Sequence, residues 1–414
     1  MGLYSVIITV FLGTKFMAIN IGVGSISLYR LSVLLMVFVS FIYMIWNYQI
    51  TSYKLDWRIH QFDFVYILWL CWGFLSVIWA QNTSRWTHGM FFITFGILSI
   101  LFISNSIKSK NIMKSIIYIL FTLFILHQLA GLFEIFTQHY FFNDMGQIRA
   151  PGLGKPLTIF RNINDYSTLI FFSVSISMIM FKISKRKIVK VIATLSILMT
   201  ILLLSYTSSR GNQLALIIFF LSFLILEIKV SVIHFKKPLM ITLIALMIFI
   251  IIYFVFLELR LNIYDSLLNF FRHEGSNTYR VNMLLNGLVF LFKTFGLGVG
   301  AGNIEHWMVE SAIFPVDAPN MHNWFFDILV GYGWIVFLFY ILMYVVIIKI
   351  LYQSFIESKD IFYKNTSLFL LCYVIAFMIS SISSASNIII EWQWVSWGII
   401  IGYVKLLLNN SQVK

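Results

Sequence analysis

Charged side chains are scarce in this 414-residue sequence: Asp, Glu, Lys and Arg together make up 11% of it, against 60% hydrophobic residues. A soluble domain needs roughly a quarter of its residues charged to cover its surface, so this scarcity excludes one. The chain reads as an integral membrane protein. Cysteine is nearly absent too, and Cys71 and Cys372 both fall inside apolar runs, which excludes a disulfide framework and metal-ligand spacing. No Asp-x-Asp, HExxH or CxxC occurs and the acids are scattered, so neither a metal nor another cofactor is expected. The N-terminal MGLYSVIITVFLG lacks a basic leader region and a small-residue cleavage site, and reads as a retained first helix. The net charge of +13 suggests nucleic acid, but no soluble domain exists to carry a basic face, so that partner is not expected.

Apolar runs of membrane-crossing length recur throughout, and the weakly alternating strands of an outer-membrane barrel do not appear. The expected fold is an all-α polytopic membrane protein, a single integral membrane domain over 1–414. About twelve transmembrane helices are placed near residues 4–20, 28–46, 64–80, 89–105, 112–133, 166–183, 189–206, 212–228, 239–257, 323–348, 366–383 and 390–408. With this placement 18 Lys and Arg lie on one side and 10 on the other, so the positive-inside rule puts both termini in the cytoplasm. The bases also differ in kind: 16 of the 18 inside are Lys, and 8 of the 10 outside are Arg. Arginine offers a planar fork suited to phosphate oxygens, whereas lysine anchors helix ends as a point charge. External arginines therefore either bind a ligand or pair with external acids such as Glu274 and Asp317. Two external loops are long, 134–165 and 258–322, so function is expected on the outer face.

The predicted spans read as nearly free of ionisable groups apart from Lys15, which weighs against an ion-coupled carrier. In the first long loop, Pro151, Gly152, Gly154 and Pro156 force turns before Asn162, Asn164 and Asp165 open a span; Asp165 reads as its N-cap. Arg149, Lys155 and Arg161 alongside suit an anionic head group. Arg210, in the hinge SSRG, either snorkels to lipid phosphates or joins backbone amides around a lipid-linked phosphate. Arg280 begins NTYRVNMLLNGLVFLF, too short to span and expected along the interface. Gly296, Gly298, Gly300 and Gly302 have no preceding strand, which rejects a dinucleotide loop; they serve close backbone packing or aim amides at an anion. His322, just before the tenth span, is either a polar cap or a base of near-neutral pKa.

SSRG at 208–211, Arg280 before an interfacial helix, GLGVGAGN at 296–303 and HNWFFDILVGYG at 322–333 together resemble the O-antigen ligase and polymerase superfamily, as does FRNINDY in the first loop. The resemblance covers about 150–340. It implies a GT-C-like, metal-independent integral membrane glycosyltransferase. Such an enzyme takes a glycan from undecaprenyl pyrophosphate and joins it to an acceptor hydroxyl on the outer face of the bacterial cytoplasmic membrane. By this resemblance Arg210 and Arg280 hold the pyrophosphate and His322 is the base. Arg161, Lys155, Arg149, Asn323, Asp327 and Asn303 support substrate binding. The family often carries an acid or amide where this chain has Gly331, so no carboxylate at that position orients His322.

The leading expectation is a polymerase joining lipid-linked repeat units, as for O-antigen, capsule or exopolysaccharide. A Lys-, Ile- and Asn-heavy composition hints at an AT-rich, Gram-positive source without lipid A, and so favours it over a ligase acting on lipid A core. A lipid-linked oligosaccharide flippase and a membrane scaffold are the alternatives from other classes. The expected partners are the undecaprenyl-pyrophosphate-linked glycan, membrane lipid and, by family analogy, a chain-length regulator and a flippase.

Overall fold

Inside a hydrocarbon layer the backbone finds hydrogen-bond partners only within a helix or a closed barrel, and this chain forms helices. The structure, a computed structural model, describes residues 2–13, 18–20, 25–46, 56–140, 154–230, 276–384 and 387–410. Its helices are α1 (Gly2–Phe11), α2 (Leu28–Trp46), α3 (Trp57–Leu75), α4 (Thr83–Ser106), α5 (Lys110–Thr137), α6 (Ile163–Ile183) and α7 (Lys187–Thr207), followed by α8 (Arg210–Val230), α9 (Ser276–Lys293), α10 (Ile304–Glu310), α11 (Trp324–Glu357), α12 (Ile361–Ser380) and α13 (Glu391–Asn409). The strands among the described residues are two-residue β1 (Ile19–Asn20) and β2 (Ser25–Ile26), antiparallel, with Ile19 opposite Ile26. Eight helices, α3 to α8, α11 and α12, are long and apolar enough to cross a membrane. The protein is an all-α polytopic membrane protein.

Those eight coincide with eight of the twelve expected spans. Of the others, 4–20 holds, among its described residues, the ten-residue α1 and the strand β1, and 28–46 is α2, whose Leu28–Ile42 part counts as a shorter apolar helix. The expected span at 239–257 lies outside the described residues. The span expected at 390–408 is α13, buried along nearly its whole length from Glu391 to Leu407. A helix enclosed by protein need not be apolar all round, provided that its polar groups find partners.

The described chain divides into two compact units, each discontinuous in sequence. The first comprises Met1–Ile116, Arg280–Ile347 and Ser386–Lys414. At its centre α13 packs against α4 and α3, and the buried rings of Trp69, Trp324, Trp394, Tyr332 and Tyr340 fill the space. Charge is buried here, contrary to the expectation of nearly ion-free spans. Arg30 Nε donates to Glu391 at 2.5 Å and Lys405 Nζ to Asp63 at 2.6 Å. Both pairs sit near helix ends, where each ion has its counter-ion from a neighbouring helix and is shielded from lipid.

The second unit comprises Ile117–Tyr279 and Ile348–Ala385. Here α6 packs against α7, α8 and α12. Small polar residues let these helices approach closely: Ser173 Oγ at 3.1 Å, Thr200 Oγ1 at 2.9 Å and the Ser196 carbonyl at 3.1 Å surround Gln128 Nε2 and share its two hydrogens.

Candidate functional site

The glycine-rich loop of the first unit is explained by a break in α11. At Gly333 the backbone turns to φ 79° and ψ −178°, which interrupts the helical hydrogen bonds. In an unbroken helix the Trp334 amide would donate to the Val330 carbonyl and that of Ile335 to Gly331. Instead the Trp334 amide donates to the Gly296 carbonyl at 3.0 Å, and the loop returns two bonds, Val299 N to Val330 O at 2.8 Å and Gly300 N to Gly331 O at 3.0 Å. The exchange requires backbone against backbone. A Cβ on Gly298 would lie 2.5 Å from the Gly333 nitrogen, and one on Gly333 would collide with the Gly296 carbonyl. The other side of the loop is fastened as well, by Trp79 Nε1 donating to the Gly298 carbonyl at 2.8 Å and Ala301 N to Ser76 Oγ at 3.1 Å. Of the two roles open for these glycines, close packing is the one the geometry displays, since the amides of Val299, Gly300 and Ala301 are already engaged.

The same scaffold carries the histidine. Asn323 caps α11, its Oδ1 accepting from the amides of Phe325 at 3.0 Å and Phe326 at 3.2 Å. Trp324, one residue on, is buried and donates to Tyr340 Oη at 2.8 Å. On the other side Met321 is buried at 1% exposure. His322 is half-buried between these two anchors in the left-handed region, at φ 48°, a conformation that non-glycine residues adopt at a cost of order 1–3 kcal/mol. Asp327, in the first turn of the helix, is buried.

Helix α9 lies against this corner. Asn286 accepts from the amides of Ile313 at 2.9 Å and Phe314 at 3.0 Å, and Asn282 donates to the Pro315 carbonyl at 2.8 Å, so the chain leading to His322 is strung along α9. Gly287 faces Met321 and Val330 so closely that a Cβ would lie 2.6 Å from the Met321 methyl and 2.9 Å from Val330. Arg280, half-buried, stands seven residues earlier on the same helix face, two turns away. The first unit thus places Arg280 and His322 on adjoining elements. Asn303, by contrast, is committed to structure: it accepts from Asn82 N at 2.9 Å and donates to the Asn82 and Ala301 carbonyls.

The second unit holds the other basic candidates. Glu134, near the end of α5 and only 1% exposed, accepts from the amides of Leu157 at 2.7 Å and Thr158 at 2.8 Å. The Tyr140 hydroxyl accepts from Gly154 N at 3.0 Å and donates to the Lys155 carbonyl at 3.2 Å, and burial pushes its pKa above the usual phenol range. These contacts fix residues 154–158, and from there Lys155 Nζ reaches Ser208 Oγ at 3.1 Å. Ser208 closes α7 in the left-handed conformation, and Arg210, exposed, opens α8 two residues later. Lys155 and the Arg210 hinge are therefore brought together. Arg161 is exposed just before α6. The cap of α6 is Asn162, which accepts from Asn164 N at 2.8 Å; Asp165, expected as the cap, sits in the first turn and accepts from Ser384 Oγ at 2.5 Å. Arg149 lies outside the described residues. No cluster of three or more His, Cys, Asp or Glu suited to a metal occurs among the described residues.

Residues 193–341 match the family described as O-antigen ligase. The whole chain is also similar to the teichuronic acid biosynthesis protein TuaE of Bacillus subtilis (strain 168), at 25% identity over 419 residues, covering 99% of this chain and 85% of the relative. Over residues 193–341 the chain is similar to the O-antigen ligase family. The matched segment contains Arg210, Arg280, His322, the glycine loop and the break at Gly333. It excludes Glu134 and Lys155, and also Ser380 and Ser384, whose hydroxyls donate to Asn212 and Asp165 at 2.5 Å each. Sequence reading missed Glu134 and these serines. The signal for Glu134 was a lone carboxylate closing a long apolar run; the serines gave none, since small polar residues are ordinary in membrane helices.

Proposed function

We propose that this membrane glycosyltransferase-like enzyme of polysaccharide biosynthesis is a polymerase, transferring a growing glycan from undecaprenyl pyrophosphate to the hydroxyl of another lipid-linked repeat unit. The reaction takes place on the outer face of the cytoplasmic membrane. His322 takes the proton from the acceptor hydroxyl as its oxygen attacks the anomeric carbon. The bond from that carbon to the phosphate oxygen breaks, and undecaprenyl pyrophosphate leaves with the electron pair. Arg280, on the element adjoining His322, neutralises its developing charge; Arg210, Lys155 and Arg161 are assigned to the pyrophosphate by sequence resemblance alone. In-line displacement in one step inverts the anomeric configuration. The observation that carries this reading is His322, held in a strained backbone conformation between two buried anchors beside the helix face that bears Arg280. Strain maintained by surrounding structure is characteristic of functional sites.

The family description favours a second reading, ligation to lipid A core or another acceptor by the same chemistry. The experiment uses purified enzyme in liposomes with the lipid-linked repeat unit as both donor and acceptor. A polymerase produces a ladder. Replacing His322 by Ala is expected to slow elongation by a factor on the order of 100 or more, the usual share of a general base. Wild-type enzyme that yields product only when another acceptor is added is a ligase. A His322→Ala ladder made at the wild-type rate overturns the assigned base, and translocation of the lipid-linked unit without glycan transfer restores the flippase.

A further inference from the structure

Helices α2 and α4 of the first unit are held together near the start of α2 and part farther along. Tyr29 Oη and Ser99 Oγ lie 2.5 Å apart, and the Arg30 guanidinium sits 4.8 Å from the ring centres of Phe91 and Phe92. Toward the C-terminal end of α4 an open cleft of about 540 Å³ separates them. That volume falls within the range of ligand sites, roughly 300–1,000 Å³.

The cleft is amphipathic along its length. Val37, Leu98, Leu101 and Phe102 form apolar walls, and Asn105, Ser106 and Lys108 close one end. Asn105 is already committed, donating to Asp63 at 3.3 Å and accepting from Lys405 Nζ at 3.0 Å, and Asp63 in turn neutralises Lys405. Ser106 Oγ donates to the Phe102 carbonyl at 2.7 Å. Lys108 is exposed, and no ion pair joins it to a carboxylate among the described residues. Among the described residues the charge balance at this end therefore leaves one ammonium without a carboxylate, while the walls offer a slot matched to a hydrocarbon chain. In a bilayer such a slot fills with lipid, because an empty one forfeits its dispersion contacts.

We propose that the α2–α4 cleft is a binding site for an anionic glycerophospholipid, one acyl chain lying along Val37, Leu98, Leu101 and Phe102 and the phosphate on Lys108. Basic pockets between membrane helices recognise acidic head groups in this way. The cleft lies at the end of α4 remote from Asn82, the residue that grips the glycine loop, so the site is separate from the one proposed for glycan transfer.

The test is native mass spectrometry of the full-length protein released from nanodiscs of equal phosphatidylglycerol and phosphatidylcholine. Wild type is expected to retain phosphatidylglycerol enriched about fivefold, the effect of one lysine beside an acidic head group. Lys108→Glu abolishes the enrichment, and Leu101→Trp, which fills the slot, lowers lipid retention of both kinds. Lys185→Glu, which reverses an exposed lysine elsewhere, leaves both unchanged. Equal enrichment in wild type and Lys108→Glu overturns the proposal. So does equal loss in Lys108→Glu and Lys185→Glu, which marks general surface attraction, or a retained species that proves to be a polyprenyl lipid.

Discussion

At the scale of single residues, two neighbours at the start of α11 have separable jobs. Asn323 satisfies two helix amides through its side chain, so Asn323→Ala is expected to cost about 0.5–2 kcal/mol of stability, the usual penalty for losing an N-cap. Relieving the left-handed backbone of His322 is the purpose of a His322→Gly variant, which should be as stable as wild type or slightly more so while losing elongation. Thermal unfolding and elongation rates measured side by side separate the two roles. A His322→Gly protein that melts well below wild type would mean the histidine serves structure first. Sequence alone left His322 poised between polar cap and base; that Asn323 caps the helix was not legible in the sequence, because it depends on which side chain folds back over the first turn.

At the scale of elements, the break in α11 and the glycine loop form one device, since each supplies the backbone partners the other lacks. Gly298→Ala and Gly333→Ala should each strongly destabilise the protein, by more than the 1–3 kcal/mol of a strained backbone alone, because a Cβ at either position meets backbone atoms that cannot move aside. The two substitutions injure one contact, so the double variant should cost less than the sum of the singles. Gly331→Ala is the control: its Cβ would meet only the Ile304 methyl at an ordinary 3.5 Å, and its expression and melting temperature should match wild type. A Gly331→Ala protein as unstable as Gly333→Ala would remove the distinction on which this account rests. The spacing of the glycines was plain in the sequence, and so was the GYG ahead of a long apolar run. That the two segments pair was not, because the pairing is made entirely of main-chain atoms that every residue possesses.

At the scale of the whole molecule, hydropathy identified most helices because lipid-facing segments must be apolar, as α3 to α8, α11 and α12 are. It described α13 less well. That helix is enclosed by protein and tolerates Glu391 and Lys405 in ion pairs that only the folded first unit creates. Sidedness is the remaining property that the charge pattern predicts. Helices α6 and α7 are joined by a short connection flanked by Lys182, Lys185, Arg186, Lys187 and Lys190, whereas the opposite end of α7 leads to Arg210. Lysine-rich short connections stay in the cytoplasm. In a background with Cys71 and Cys372 replaced by Ser, Lys185→Cys should therefore react with a membrane-impermeant thiol reagent only after cells are permeabilised. Asp317→Cys, exposed in the segment leading to His322, should react in intact cells. The reverse pattern would put His322 in the cytoplasm, on the wrong side to meet a glycan already carried across, and the polymerase reading would fall with it. Labelling of both positions in intact cells would deny that the α6–α7 connection and the His322 segment lie on opposite faces, and with it the assignment of lysine to one face and arginine to the other.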